Sequence, residues 1–391
     1  MKLAIYGGSF NPPHLGHAAA IRSVLNAVDP DELRVIPAAT PPHKQLAAGS
    51  PTAEERLRLA KLAFEGMPGV RVSDMELRRE GKSYTADTIR ALKRERPGAK
   101  LYLVVGTDML ETFTEWYDFA YILRSVTLIA LARDFGELEH IRDCAQSLRR
   151  AHGAHVRVLQ TEPLPVSSTQ LRMLLPQRHG TEFLSDKVYA EIIRARLYGA
   201  QPDLAWLREQ SYPMLKPRRV AHVWGCEHEA RRLAEHWGCD PELAAEAGIL
   251  HDITKKFELN DQLLLSEKYG IINDTVETSN IKLLHAKTGA AMARDLYGVT
   301  DAVYDAIRWH TTGKPEMTLL EKIIYMADYI EPTRDFPGVE PLRRLAYLDL
   351  DRAMALGLQM SLDELLEKGT PVHPNTADAL NWYLKQGEKN S

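Results

Sequence analysis

Three cysteines, Cys144, Cys226 and Cys239, are all that 391 residues contain. They are dispersed, form no CxxC pair and are odd in number, which excludes a disulfide framework. No apolar run approaches the ~20 residues needed to span a bilayer. The N-terminus, MKLAIYGG, runs from a short apolar stretch into glycines, without the long apolar segment or cleavage site of a secretory signal. The expectation is a cytoplasmic protein with no membrane partner. Neither sign of charge dominates: 49 Lys and Arg against 53 Asp and Glu leave a net charge of -4. That argues against a nucleic-acid partner but allows small phosphorylated ligands. Internal repeats and low-complexity segments are also lacking.

What is present fits two domains at ~100–200 residues each. In the first half short apolar runs alternate with helical periods. Lys2 to Tyr6, Leu33 to Pro37, Val70 to Met75, Leu101 to Val105, Thr127 to Leu131 and Val156 to Leu159 read as strands. Gly16 to Val28, Thr52 to Glu65 and Thr85 to Arg94 read as helices. Such alternation predicts parallel βαβ units, an α/β doubly wound parallel sheet. From about Pro202 onward only helical periods remain: Arg218 to Trp237, Pro241 to Ile253, Leu283 to Tyr297, Asp301 to His310, Leu319 to Ile330 and Asp351 to Glu367. The second half is therefore predicted all-α, with the boundary near Tyr198 to Pro202.

The densest signal is Gly7-Gly8-Ser9-Phe10-Asn11-Pro12-Pro13-His14-Leu15-Gly16-His17, which follows the first strand and opens the first helix. Glycines let backbone approach a ligand, and a helix N-terminus attracts anions. His14 and His17, three apart, place two imidazoles at that concavity and suit a polyphosphate whose charge grows during reaction. No Lys follows, so the loop is not a Walker motif. A second signal is Val166-Ser167-Ser168-Thr169-Gln170-Leu171-Arg172. Ser168 or Thr169 is expected to cap a helix there, with Arg172 forking onto phosphate oxygens.

In the second half, six of the 14 histidines fall between His222 and His310. His251 and Asp252 form a doublet at the end of an apolar helix. His222 lies upstream; His285, His310 and Asp328 lie downstream. A polar residue on an apolar helix is costly unless paired or ligated, and imidazoles with carboxylates suit Fe, Mn, Ni or Zn. His228 and His236 read as ordinary residues.

The two phosphate signals together resemble the nucleotidyltransferase superfamily with HxGH and SSTxxR signatures. From Met1 to about Tyr198 the chain is similar to bacterial nicotinate-nucleotide adenylyltransferases through GGSFNPPHLGH, PPHK (Pro41 to Lys44), SYT (Ser83 to Thr85), VGTD (Val105 to Asp108), Trp116 and SSTQLR. The resemblance implies a Rossmann-like domain over 1–199 that transfers AMP from ATP to nicotinate mononucleotide and releases pyrophosphate. It implies that Gly7, Gly8, Ser9 and Phe10 form the nucleotide loop and that His14 and His17 stabilise the α/β-phosphates. Ser167, Ser168, Thr169 and Arg172 would grip the β/γ end, and Lys44 would meet phosphate. Tyr84, Thr85 and Trp116 would receive the nicotinate part. Gly106 and Asp108 would sit against substrate at a strand end, with Mg²⁺ carried by ATP.

The order H…HD…H…H…D resembles HD-domain phosphohydrolases that hold two metals. AGILHDITK (Ala247 to Lys255), LLHAKTGA (Leu283 to Ala290), AIRWHTTG (Ala306 to Gly313) and EKIIYMADYIEPTRDFPGVEPLR (Glu321 to Arg343) are similar to the symmetrical diadenosine-tetraphosphate hydrolases of that class. The resemblance implies an all-α HD domain over 200–391 that cleaves diadenosine tetraphosphate to two ADP. Two divalent ions, with iron the expected metal, would lower the pKa of a water and clamp phosphates. His222, His251, Asp252, His285, His310 and Asp328 would be their ligands, Asp252 the bridge, with Lys255 and Arg334 neutralising phosphates. Three alternatives stay open. The second half acts on another nucleotide, such as a guanosine alarmone or cyclic dinucleotide, or it is a nucleotide sensor without turnover. The first half transfers to a different phosphate acceptor. A homo-oligomer is compatible with all of them.

Overall fold

A computed structural model of the chain describes residues 1–42, 45–132, 136–160, 166–278 and 280–389. Two compact units divide it, Met1–Gln201 and Pro202–Ser391. Among the described residues no helix is long and apolar enough to cross a membrane.

The first unit is built on six parallel strands: β1 (Lys2–Gly8), β2 (Glu32–Pro37), β3 (Val70–Val72), β4 (Lys100–Gly106), β5 (Val126–Ala132) and β6 (Val156–Gln160). They lie in the order β3-β2-β1-β4-β5-β6. Around them run α1 (Leu15–Val28), α2 (Ala53–Ala63), α3 (Thr85–Glu95), α4 (Thr107–Glu111), α5 (Phe119–Ser125), α6 (Glu137–His152), α7 (Ser168–Leu174) and α8 (Asp186–Arg194). The strands are apolar on both faces because both faces are covered. Leu3, Ile5, Leu103, Val105, Leu128 and Ala130 enter one core, whereas Ala4, Leu33, Val35, Val104 and Ile129 enter the other. The strand order reverses at β1, which pairs with β2 on one side and β4 on the other. In such sheets the crevice for ligands opens beyond the carboxyl ends at that reversal. It is where the Gly7-Gly8 loop and the Gly106-Thr107-Asp108 turn emerge.

β3 is shorter than the stretch Val70 to Met75 suggests. It pairs only with Leu33, Arg34 and Val35 of β2, and Asp74 then starts a turn by accepting from Leu77 N–H at 2.9 Å. An edge strand stops where its one neighbour stops offering partners.

The second unit is helical: α9 (Leu204–Ser211), α10 (Pro217–Trp237), α11 (Pro241–Leu250), α12 (Leu259–Lys268), α13 (Thr275–Thr278), α14 (Ile281–Tyr297), α15 (Asp301–Trp309), α16 (Leu319–Ile330), α17 (Val339–Ala346), α18 (Leu350–Glu367) and α19 (Pro374–Lys389). α11 ends at Leu250, three residues before the limit its apolar run suggests. Beyond it Ile253 N–H reaches back only to Leu250 O (3.2 Å) and Lys255 N–H to Asp252 O (2.9 Å). The tighter i→i+3 bonds turn the chain so that His251 and Asp252 are both fully buried.

α10 and α11 pack unusually close. A Cβ on Gly248 would stand 2.8 Å from Glu227 Cα and 3.1 Å from Glu227 N, both backbone atoms that cannot swing away. Gly248→Ala is expected to force the helices apart at a cost of about 2 kcal/mol, lowering the unfolding midpoint of the helical unit by about 5 °C in scanning calorimetry. An unchanged midpoint would refute the contact.

Candidate active sites

In the first unit α1 begins at the Gly-rich loop, and its first turn is closed by histidines in place of the usual Ser or Asp. Gly16 N–H donates to His14 Nδ1 at 3.2 Å, and His14 N–H donates to His17 Nδ1 at 3.1 Å. An imidazole nitrogen that accepts a hydrogen bond carries no proton, so in each neutral ring the proton is on Nε2. The two ring centroids are 3.9 Å apart. The result is a pair of adjacent Nε2–H donors at the positive end of a 14-residue helix.

The SSTQLR segment meets this loop. Ser168 Oγ donates to Pro12 O at 2.8 Å, and Arg172 Nη1 donates to Asn11 O at 2.7 Å and Ser168 O at 3.2 Å. Arg172 Nη2 donates to Thr169 Oγ1 at 3.1 Å. The cap of α7 is Ser167, whose Oγ accepts from Gln170 N–H at 3.2 Å, not Ser168 or Thr169 as the sequence suggests. Ser168 and Arg172 are engaged with the loop because the carbonyls of Asn11 and Pro12 need donors. They brace the loop, and Arg172 leaves its positive charge beside it.

The residues expected around a nicotinate ring are placed unevenly. Tyr84 precedes α3 and packs on Tyr117 with centroids 4.8 Å apart, and Tyr117 is 54% exposed. Trp116 is only 9% exposed, with one face stacked on Phe113. The open aromatic face is thus that of Tyr117, which sequence reasoning passed over. Thr85 opens α3, whose preceding Tyr84 gives no side-chain cap. Asp108 is exposed in the first turn of α4, two residues past β4. The Phe10 ring is buried against Phe64 and His17, so what it offers a ligand is backbone. Lys44 lies outside the described residues.

Five helices deliver the histidine–aspartate set of the second unit. His222 comes from α10, His251 and Asp252 from the end of α11, His285 from α14, His310 from the end of α15 and Asp328 from α16. His222 Nε2 stands 3.4 Å from His251 Nε2 and 3.0 Å from Asp328 Oδ1. His285 Nε2 stands 3.1 Å from His310 Nε2. Asp252 lies between the pairs: Oδ2 is 3.5 Å from His251 Nε2, and Oδ1 is 3.2 Å from His285 Nε2 yet completes no hydrogen bond.

Here the tautomers are opposite to those at His14 and His17. His251 Nδ1 faces Gly248 O at 2.7 Å, and His310 Nδ1 faces Ile307 O at 2.6 Å. A carbonyl only accepts, so each Nδ1 is protonated and each Nε2 presents a lone pair. Converging lone pairs repel unless a cation sits among them.

Burial and charge pull on these groups in opposite senses. Burial opposes ionisation of Asp252, but His251 and Lys255 outweigh it and hold the carboxyl well below the usual range. Asp328 is likewise held low against burial, chiefly by His222. Burial, then the Lys255 ammonium, pushes His285 down to about 4. Burial also keeps His310 well below its ordinary value.

A third cluster, Asp274, Glu277 and His373, differs in kind. His373 Nδ1 accepts from Asn375 N–H at 3.2 Å, so a neutral ring carries its proton on Nε2, which lies 3.0 Å from Asp274 without completing a hydrogen bond. Lys287 already pairs with Glu277 at 2.6 Å. A protonated Nε2 and a cation already on Glu277 set this cluster apart from the His251 and His310 donors.

The Cytidylyltransferase-like family model matches residues 5–174 and the HD domain model residues 219–333. A probable nicotinate-nucleotide adenylyltransferase of Gemmatimonas aurantiaca is 34% identical over 203 residues, covering 52% of this chain and 94% of that protein. A symmetrical bis(5'-nucleosyl)-tetraphosphatase of Halalkalibacterium halodurans is 41% identical over 174 residues, covering 44% of this chain and 92% of that protein. A Clostridium acetobutylicum HD superfamily hydrolase of known structure, described as involved in NAD metabolism, is 34% identical and covers 48% of this chain and all of that one, with a TM-score of 0.46. The chain joins the nicotinate-nucleotide adenylyltransferase family to the symmetrical tetraphosphatase family of HD enzymes.

An HD domain implies divalent metal binding, and the donors of the HD half fit it: unprotonated Nε2 atoms on His251 and His310, two ionised carboxylates and an orphan Asp252 oxygen between two imidazole pairs.

Sequence reasoning missed three supports. In the HD half Glu331, fully buried, takes His222 Nδ1 at 2.9 Å and is held by Thr333 N–H at 2.7 Å. It reaches that place because Gly225 has no Cβ; one there would lie 2.5 Å from Glu331 Oε2. Arg219 pairs with Asp252 Oδ2. In the adenylyltransferase half Arg56, 1% exposed, donates to Ser9 O and Ala38 O at 2.8 Å and to Ala39 O at 3.0 Å, tying the nucleotide loop to the segment after β2. For Arg56 the available signal was a charged residue on the buried face of a helix, beside Leu59 and Ala60. Glu331→Gln keeps the volume but removes the charge that orients His222. Metal affinity is expected to fall about 10–100-fold in chelator competition; unaltered affinity would refute the support.

Proposed function

We propose that residues 1–199 transfer AMP from ATP to nicotinate mononucleotide and that residues 200–391 hydrolyse diadenosine tetraphosphate symmetrically to two ADP. The chain is then a cytoplasmic bifunctional enzyme, with Mg²⁺ on ATP in the first half and two divalent ions, iron by preference, in the second. What carries the reading is the opposite protonation of two histidine sets. His14 and His17 keep an N–H on Nε2, and His251 and His310 keep a lone pair there.

In the first half the nicotinate mononucleotide phosphate attacks the α-phosphorus and pyrophosphate leaves. Such chemistry needs positioning and charge neutralisation, with no protein nucleophile. His14 and His17 donate from Nε2 to oxygens that gain charge, beside the helix N-terminus and Arg172. Gly7, Gly8 and Ser9 let the loop lie close to the phosphates. Ser167, Ser168 and Thr169 hold the second wall, and Asp108 faces substrate across the β1–β4 crevice. Thr85, Tyr84 and Trp116 receive the nicotinate side, where Tyr117 adds an exposed ring.

In the second half His222, His251, Asp252, His285, His310 and Asp328 would hold the ions. When bound, these supply Lewis acidity and an activated water. Asp252 spans both ligand groups, Glu331 orients His222, and Lys255, Arg219 and Arg334 offset phosphate charge. The remoter reading of a sensor without turnover has less support, because all six ligand positions carry a metal-competent side chain.

The test is one preparation assayed twice. His17→Ala is expected to reduce nicotinate adenine dinucleotide formation at least about a hundredfold while diadenosine tetraphosphate cleavage continues. Asp252→Ala is expected to strip metal, measured by elemental analysis, and to abolish ADP release while synthesis continues. Synthesis unaffected by the first change, or full metal content after the second, would sink the corresponding assignment.

A further inference from the structure

Beside the metal-ligand cluster of the second unit opens a cavity of about 500 Å³. Its wall carries Lys216, Arg218, Arg219, Lys255, Lys256 and Arg334 against one carboxylate, Glu331. Three of these cations are committed: Arg219 to Asp252, Arg334 to Asp328 at 2.7 Å, and Lys255 to His285 at 2.8 Å. The other three are not. Arg218 and Lys256 have no carboxylate partner among the described residues, and the nearest to Lys216 is Glu258 at 3.9 Å, itself 80% exposed. All three are exposed at the cavity and none belongs to the ligand set.

Small-molecule pockets are usually lined by apolar and aromatic side chains that grip a ring. This wall has Leu215 as its one apolar side chain, and its one ring is the His222 imidazole, which already faces His251 and Asp328. No Phe, Tyr or Trp lines it to stack on a base. Like charges gathered on one concavity focus their field on a polyanion instead.

We propose that Lys216, Arg218 and Lys256 form a phosphate-chain subsite that binds linear chains of three or more phosphates by charge, whatever is esterified to their ends. Inorganic tripolyphosphate is then a ligand in its own right, and adenine is not what the site selects. The inference rests on the hydrolase reading for the reaction that follows binding, and not for the binding itself.

The test uses the full chain loaded with metal, in excess Mg²⁺ so that polyphosphate does not strip the protein. Tripolyphosphate is expected to compete with diadenosine tetraphosphate and to bind at least about tenfold tighter than pyrophosphate, weakening as salt rises. Diadenosine and diguanosine tetraphosphates are expected to share a KM within about threefold. The triple variant Lys216→Ala, Arg218→Ala, Lys256→Ala is expected to raise KM and the tripolyphosphate Kd at least tenfold with metal content unchanged. A tenfold preference for one base, tripolyphosphate no tighter than orthophosphate, or a KM indifferent to the triple variant overturns the subsite while leaving hydrolysis standing. Tripolyphosphate binding that needs the three cations, with no dinucleotide cleaved, overturns the hydrolase reading and leaves the subsite.

Discussion

A histidine ring has two nitrogens, and the backbone group that meets Nδ1 decides what the other can do. At His14 and His17 the partner is a peptide N–H, so Nδ1 must accept and Nε2 must donate. At His251 and His310 the partner is a carbonyl, so Nδ1 donates and Nε2 offers a lone pair. One chain thereby holds the same side chain in two states that suit opposite partners: an N–H donor in the first unit and a lone pair in the second. Helix position enforces the choice. His14 and His17 sit at a helix start, where N–H groups lack partners; His251 and His310 follow helix ends, where carbonyls do.

Each site is then braced by hydrogen bonds and close packing around it. In the first unit Arg56, Ser168 and Arg172 satisfy the carbonyls of Ser9, Asn11, Pro12, Ala38 and Ala39, so the loop keeps its shape with its carbonyls occupied. In the second, two glycines set the spacing. Gly248 lets α11 lie against Glu227, and Gly225 admits the Glu331 carboxylate to His222. Both are places where a single methyl group would move backbone or charge by enough to disturb a ligand position.

The two units also handle charge differently. The first offers a few directional donors at a sheet crevice, as suits a reaction that needs one oxygen held in line. The second surrounds buried carboxylates with Arg219, Lys255 and Arg334, then continues the positive charge outward through Lys216, Arg218 and Lys256. That gradient suits a long flexible anion better than a shaped base.

Much of this was legible in one dimension. Alternating apolar runs gave the parallel sheet because a strand buried on both faces must be apolar throughout, and the histidine and aspartate positions stood out because polar residues on apolar helices call for partners. Boundaries were less legible: β3 stops with its neighbour, and α11 ends early so that His251 and Asp252 can turn inward. Supports were least legible. Arg56 and Glu331 drew no expectation, since their partners lie on distant segments. Trp116 looked like an open ring until Phe113 covered it. The chain by itself determined which residue types stand at strand ends and on helix faces, because periodicity and composition are local. Only the tertiary structure decided which nitrogen of each histidine bears its proton, because that depends on whether packing brings an N–H or a carbonyl to the ring.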